Sequence, residues 1–283
     1  TYIEMYPISF SWNITFSCNY RCPYCWFHGE WQNLASKNRH LSVKELMGYW
    51  EGIYKRYGSV VIDILGGEPF IYSDFTELIK ELSRIHTVNV ATNLSCDMRR
   101  FVEVADPSKV GIRSTFHPFF AEFDSFLKRA LLLKEHNFGD NVTYLAYPPQ
   151  IGLIGYYKEK FAKEDLRLCI LTFWGKYKGV DYPAGYTKEE KEIIAPDVDN
   201  RCGEKFQVTP QEVKGKLCRA GQRYAVIFPD GATVRCGGGT SADSDISMGN
   251  FFDEGFQLLN NPSPCSSKYC PCNEWAFLLV GEE

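Results

Sequence analysis

Six apolar runs between residues 8 and 173, alternating with five helical patterns, constrain the fold of this 283-residue chain more than any other feature. Residues 8–16 alternate, with Ile8, Phe10, Trp12, Ile14 and Phe16 on one face and Ser9, Ser11, Asn13 and Thr15 on the other, which is the period of a strand. The polar face suits a barrel interior or solvent. Ser42-x-x-Glu45 is a capping box, and Leu46, Met47, Trp50, Ile53 and Tyr57 then recur at helical spacing up to Gly58. Strands are expected at 59–65, 87–92, 110–116, 141–147 and 166–173, with helices at 73–84, 98–104, 119–136 and 151–163 between them. This order implies a parallel sheet with right-handed crossovers. Six units fall short of the eight that close a barrel, so the expectation is an α/β fold with an open, partial (β/α)6 TIM-like barrel. Ligands of such folds bind at the C-terminal ends of the strands.

Residues 174–200 are rich in Gly, Pro and charge and read as a linker with one helix, 188–194. Beyond them lie a β-hairpin (223–228 and 233–236, joined by Pro229-Asp230-Gly231) and few long apolar runs. The division expected is a barrel and linker over 1–199 and a small C-terminal domain over 200–283, the latter stabilised by a metal site.

Cysteine usage supports metal binding. There are 11 cysteines, an odd number, in a chain too long for a secreted disulfide scaffold and without a signal-peptide pattern. Three lie by position 25 and six lie in the last 82 residues, which suggests two metal sites. Cys18-x3-Cys22-x2-Cys25 follows the first strand, hence at the ligand-binding end. Three close thiolates can hold three irons of a [4Fe–4S] cluster and leave the fourth open; a zinc knot is the competing reading, with His28 and His40 poorly spaced for it. Cys96 and Cys169 are expected to be packing residues. The 31 basic and 35 acidic side chains form no basic block, so no nucleic-acid partner is expected. No apolar run is long enough to span a membrane, and a cytoplasmic location is the default.

After the second strand comes Gly66-Gly67-Glu68-Pro69, two glycines that let backbone approach a ligand and a carboxylate that could accept from an ammonium group. Together, Cys18, Cys22 and Cys25, the aromatic Tyr24 before the last of them, and Gly66–Pro69 resemble the radical S-adenosylmethionine (SAM) superfamily over roughly residues 8–175. The resemblance implies that Cys18, Cys22 and Cys25 ligate the catalytic cluster, whose open iron is chelated by SAM. Gly66, Gly67, Glu68 and Pro69 would meet the methionine amino group, and Tyr24 the adenine. Asn93 (with Thr92) and Ser114 would meet the carboxylate or ribose, with His117 a looser candidate. One electron, from an external donor of flavodoxin or ferredoxin type, would split SAM into methionine and a 5′-deoxyadenosyl radical that takes a hydrogen atom from substrate.

Cys218-x12-Gly231-x4-Cys236, followed by Cys265-x4-Cys270-x-Cys272, resembles the auxiliary-cluster extension of such enzymes, called SPASM in full form and twitch when shortened. The second half lacks the Cys-x2-Cys-x5-Cys-x3-Cys array of the full form, so one auxiliary [4Fe–4S] cluster is expected. Cys218, Cys236 and Cys270 are its firmest ligands, Cys265 or Cys272 completes four, and Cys202 stands outside; structural zinc is the alternative. A leftover thiol could donate a hydrogen atom, as in radical epimerases.

The function expected is tailoring of a small molecule (carbohydrate, aminocyclitol or nucleotide-linked) by oxidation, epimerisation or dehydration. No room for a leader-binding domain precedes the first strand, which tilts the expectation from a peptide substrate toward a small one. Trp26, Phe27, His28, Trp31 and Trp174 would suit sugar stacking and equally lid or core packing. The alternatives are a peptide-modifying epimerase or crosslinking enzyme and, outside enzymes, an iron–sulfur electron carrier or zinc-binding protein.

Overall fold

The computed structural model describes residues 7–27, 30–194, 212–237, 246–270 and 278–281. Six strands, β1 (Ser9–Thr15), β2 (Val61–Gly66), β3 (Thr87–Thr92), β4 (Val110–Thr115), β5 (Asn141–Ala146) and β6 (Arg167–Thr172), pair in chain order and all in parallel. Helices α1 (Trp31–Ala35), α2 (Val43–Tyr57), α3 (Phe75–Leu82), α4 (Arg99–Val104), α5 (Phe123–Glu135) and α6 (Ile154–Ala162) lie in the connections. The capping box at the start of α2 forms in both directions, Ser42 Oγ accepting from Glu45 N at 3.3 Å and Glu45 Oε2 accepting from Ser42 N at 2.8 Å.

The sheet's outer face and the helix stripes make the core. Ile62, Ile64, Val88, Val90 and Tyr144 are fully buried beside Leu46, Trp50 and Leu78. Trp50 of α2 packs on Phe10 and Trp12 of β1, with ring centroids 5.6 and 5.4 Å apart. The polar face of β1 is not solvated: Asn13 and Thr15 are buried, and Ser11 Oγ accepts from Tyr224 Oη at 2.8 Å.

Residues 174–187 hold more order than the linker reading expects. β7 (Gly175–Tyr177) and β8 (Val180–Tyr182) form a hairpin, and the Tyr177 ring packs on Tyr147. The buried Tyr186 hydroxyl accepts from Phe173 N and donates to the Ala146 carbonyl, pinning the segment to the ends of β5 and β6. The helix expected at 188–194 is α7 (Lys188–Ile194).

The C-terminal part joins the same sheet. β10 (Tyr224–Ile227) lies parallel to β1, and β11 (Ala232–Val234) and β12 (Ser247–Asn250) extend it antiparallel, giving the order β12-β11-β10-β1-β2-β3-β4-β5-β6. The short strands β9 (Leu217–Cys218) and β13 (Ser263–Pro264) pair separately. Among the described residues the sheet is open, with no strand pairing β6 back to β1. All four residues of β10 are buried, and Phe251 packs on Phe10 and Trp50, so the core crosses the boundary expected at 199/200. Among the described residues, no helix is long and apolar enough to cross a membrane.

Candidate active site

At the C-terminal ends of the parallel strands a cavity of about 340 Å³ opens, within the range of small-molecule sites. Cys18, Cys22 and Cys25 line it from the loop after β1. Burial raises the pKa of all three thiols, Cys22 to about 12, and neighbouring thiols of the set add to the rise at Cys22 and Cys25. Three adjacent thiolates therefore need a metal's positive charge to share this cavity, the behaviour expected of a ligand set that binds metal with release of protons. The soft donor set suits an iron–sulfur cluster.

The two glycines position this loop. The Thr15 carbonyl accepts from Gly67 N at 2.7 Å, and the Ser17 carbonyl accepts from Glu68 N at 2.8 Å. A Cβ on Gly67 would overlap the Ser17 carbonyl oxygen, and one on Gly66, whose φ is +134°, would overlap that of Thr15. Gly66 and Gly67 line the cavity, but the close approach that demands glycine is to the cysteine loop's own backbone.

Glu68 and Pro69 are buried and do not line the cavity. The Glu68 carboxylate accepts from Phe70 N at 3.0 Å, Thr92 Oγ1 at 2.8 Å and Asn93 N at 2.7 Å. Its pKa is raised by desolvation, against which these three donors act. It ties the end of β2 to the end of β3. Asn93 does face the site: its Nδ2 lies 3.9 Å from Cys18 Sγ and donates to Asn19 Oδ1 at 2.9 Å.

Tyr24 lines the cavity and is also a prop. Its ring stacks on His117 at 5.8 Å and meets Tyr147 at 4.9 Å, and its hydroxyl shares a hydrogen bond with His117 Nδ1 at 2.9 Å. The same Nδ1 lies 3.8 Å from Cys22 Sγ. Burial lowers the His117 pKa to about 4, so its ring is neutral near pH 7.

Ser114 does not line this cavity. It is buried on the outer face of β4, two residues before Phe116, whose ring packs on Phe126 and Phe161 of the helix layer; its Oγ lies 3.4 Å from the Asn141 carbonyl. Because strand side chains alternate, Arg113 and Thr115 line the cavity in its place. The period-two pattern Gly111, Arg113, Thr115, His117 carried that signal. Trp26 lies at the cavity mouth and is 73% exposed. Phe27 instead packs edge-on against Phe16. His28 and the Trp31 side chain lie outside the described residues.

A second set of thiols converges in the C-terminal part. Cys218, Cys236, Cys265 and Cys270 line one small cavity with Ala220, Arg235 and Leu278. The cavity is about 30 Å³, and among the described residues no group of three or more His, Cys, Asp or Glu side chains is placed to hold a metal ion as it stands. Gly231, with φ +83°, makes the hairpin turn; a Cβ there would overlap Asn250 and Phe252, whose segment bonds back to the turn through Phe251 N and Asn250 Nδ2. Burial raises the Cys218 thiol pKa, and Arg235 acts against that rise. Cys202 and Cys272 lie outside the described residues. Of the two packing cysteines, Cys96 is a half-buried free thiol, and Cys169 is buried in β6 and disulfide-bonded.

Residues 12–113 match the family model described as Radical SAM superfamily. The GTP 3',8-cyclase of Haemophilus influenzae (strain PittEE) is 32% identical over 102 residues, 36% of this chain and 30% of that protein. The GTP 3',8-cyclase of Klebsiella pneumoniae is 34% identical over 95 residues, 31% of this chain and 29% of that protein. The chain thus spans about 30% of the length of the curated relatives it matches. Among solved structures, SuiB of Streptococcus suis bound to S-adenosylmethionine superposes with a TM-score of 0.62 at 14% identity, covering 89% of this chain and 65% of that one. Native anSMEcpe with bound AdoMet and Cp18Cys peptide superposes with a TM-score of 0.62 at 15% identity, covering 87% and 78%. At these identities the likeness is one of fold.

Proposed function

We propose that this chain, whose residues 12–113 match the radical SAM superfamily model, cleaves SAM reductively and uses the carbon radical so formed to tailor a small polar substrate. The observation that carries this reading is the meeting of Cys18, Cys22, Cys25, Gly66, Gly67 and Asn93 in one cavity at the C-terminal ends of the strands. A [4Fe–4S] cluster held there would supply the electron for reductive cleavage of SAM. The chain's own residues hold and orient. Cys18, Cys22 and Cys25 supply three ligands, while Tyr24 and His117 brace their loop. The main chain at Gly66 and Gly67, with Asn93, meets the methionine end of SAM. Arg113 and Thr115 face the space left for ribose and substrate, and Trp26 shields the mouth from water.

A second metal centre, held by Cys218, Cys236, Cys265 and Cys270 or with Cys272 in place of one, completes the proposal as an auxiliary [4Fe–4S] cluster. The Cys218-x12-Gly231-x4-Cys236 spacing and the convergence of four cysteines on one cavity support it. Residues 1–199 and 200–283 are then the SAM-cleaving and auxiliary parts of one enzyme. An external donor of flavodoxin or ferredoxin type would reduce the first centre. A peptide substrate is the second reading, favoured by the peptide bound in one fold neighbour.

The test is iron and sulfide per chain after anaerobic reconstitution, with 5′-deoxyadenosine formed under reduction. About eight irons, falling to about four when Cys18, Cys22 and Cys25 are all alanine, is the result expected. Loss of 5′-deoxyadenosine must accompany the fall. SAM left intact by the fully loaded chain would reduce it to an electron carrier. Panels of nucleotide sugars and of short peptides, compared for stimulation of 5′-deoxyadenosine, decide between the two substrate classes.

A further inference from the structure

Arg235, directly before Cys236, is 8% exposed. Its guanidinium donates to four main-chain carbonyls: Nε to Ala220 at 3.1 Å, Nη1 to Pro264 at 3.0 Å, and Nη2 to Ser263 at 2.9 Å and Cys218 at 3.3 Å. These carbonyls lie on the two segments that carry Cys218 and Cys265, so one side chain clasps both. Among the described residues no carboxylate pairs with it. A guanidinium does not shed its proton in a protein. Among the described residues its positive charge is met by main-chain dipoles alone, and such burial is costly without an anion. The groups beside it that would become anionic on binding a metal are the sulfurs of Cys218, Cys236, Cys265 and Cys270, which line the same cavity.

We propose that Arg235 is the counter-cation of the C-terminal metal–thiolate centre. It is a positioning residue: it sets the two ligand segments and lends its charge to the thiolates. The inference rests on the auxiliary-cluster reading above. A reduced cluster carries one electron more than the oxidised one, so a fixed cation beside it favours the reduced form and raises the reduction potential.

The test uses the full-length chain with Cys18, Cys22 and Cys25 replaced by alanine, so that only the C-terminal centre can load. It is compared with the same chain carrying Arg235→Gln or Arg235→Lys. Iron per chain, iron retained against a chelator and the midpoint of a dithionite titration followed by electron paramagnetic resonance are measured. Arg235→Gln is expected to lose iron several-fold faster and to titrate at a lower potential, and Arg235→Lys to recover part of both. A Gln variant matching the arginine form in retention and midpoint overturns the inference. Equal losses in Gln and Lys variants overturn the charge role and leave a neutral clasp. If the arginine form binds zinc or takes up no iron, the auxiliary-cluster reading itself fails, and this inference with it.

Discussion

The Glu68 carboxylate, wholly buried, accepts the main-chain N–H of Asn93 at 2.7 Å and thereby joins the strand that braces the cysteine loop to the strand whose next residue faces Cys18. Removing it orphans the Asn93 and Phe70 N–H groups and the Thr92 hydroxyl. Each unsatisfied buried donor costs about 1–3 kcal/mol. Glu68→Ala is expected to lower the unfolding free energy by about 3 kcal/mol, and Glu68→Gln, which keeps one acceptor oxygen, by less. Urea titration of the metal-free chain checks this, since an effect confined to SAM binding would leave those curves unchanged.

Gly67→Ala drives a methyl group into the Ser17 carbonyl. The strain, about 1–3 kcal/mol, falls on the loop between Thr15 and Cys18. Iron bound by the first centre is expected to drop while the C-terminal centre loads normally. Iron content of the variant, with and without the C-terminal cysteines, separates the two.

The register of β4 predicts opposite outcomes at neighbouring positions. Ser114→Ala, on the helix side, is expected to leave SAM affinity within about twofold, and Thr115→Ala, on the cavity side, to weaken it by roughly tenfold, the worth of one lost hydrogen bond. Equilibrium dialysis with labelled SAM on reconstituted enzyme is the measurement. A reversed order would place the other face of the strand inward.

His86 gives the fold a pH dependence. It is 1% exposed, its Nδ1 accepts from Val60 N at 3.2 Å, and its Nε2 lies 3.1 Å from the Trp50 carbonyl. Burial lowers its pKa below the ordinary 6.5, with the Trp50 bond acting against that shift. The unfolded chain then binds the proton more readily than the folded one. The stability His86 contributes is therefore fully present above 6.5 and declines as pH falls from there toward the depressed folded pKa. Denaturation midpoints at about pH 7.5 and 5.5 are expected to differ less in His86→Gln than in the natural chain.

The parallel sheet was legible because its strands and helices differ in period, and the first site because three thiols and a Gly-Gly turn fall on adjacent strand ends. The inward role of Arg113 was written in the same alternation, but an arginine between Ile112 and Ser114 reads first as a solvated side chain. The duties of Glu68 and Tyr24 were hidden for another reason. Their partners, Asn93 and His117, lie 25 and 93 residues away, and local pattern does not report such pairs. The hairpin at 175–182 escaped because strands of three residues are too short to show a period. The addition of β10 to β1 joins residues more than 200 apart, and no motif announces it.

That pairing has a consequence for how the chain can be cut. With β10 in place, the main-chain donors and acceptors along one side of β1 are matched, from Ser9 against Tyr224 to Trp12 against Ile227. A fragment ending near residue 199 would present them bare, on a strand whose other neighbour is the middle of a sheet. Bare strand edges recruit other chains. Such a fragment would self-associate through its first strand, so the C-terminal segment chaperones the barrel's solubility whether or not it ever holds a metal.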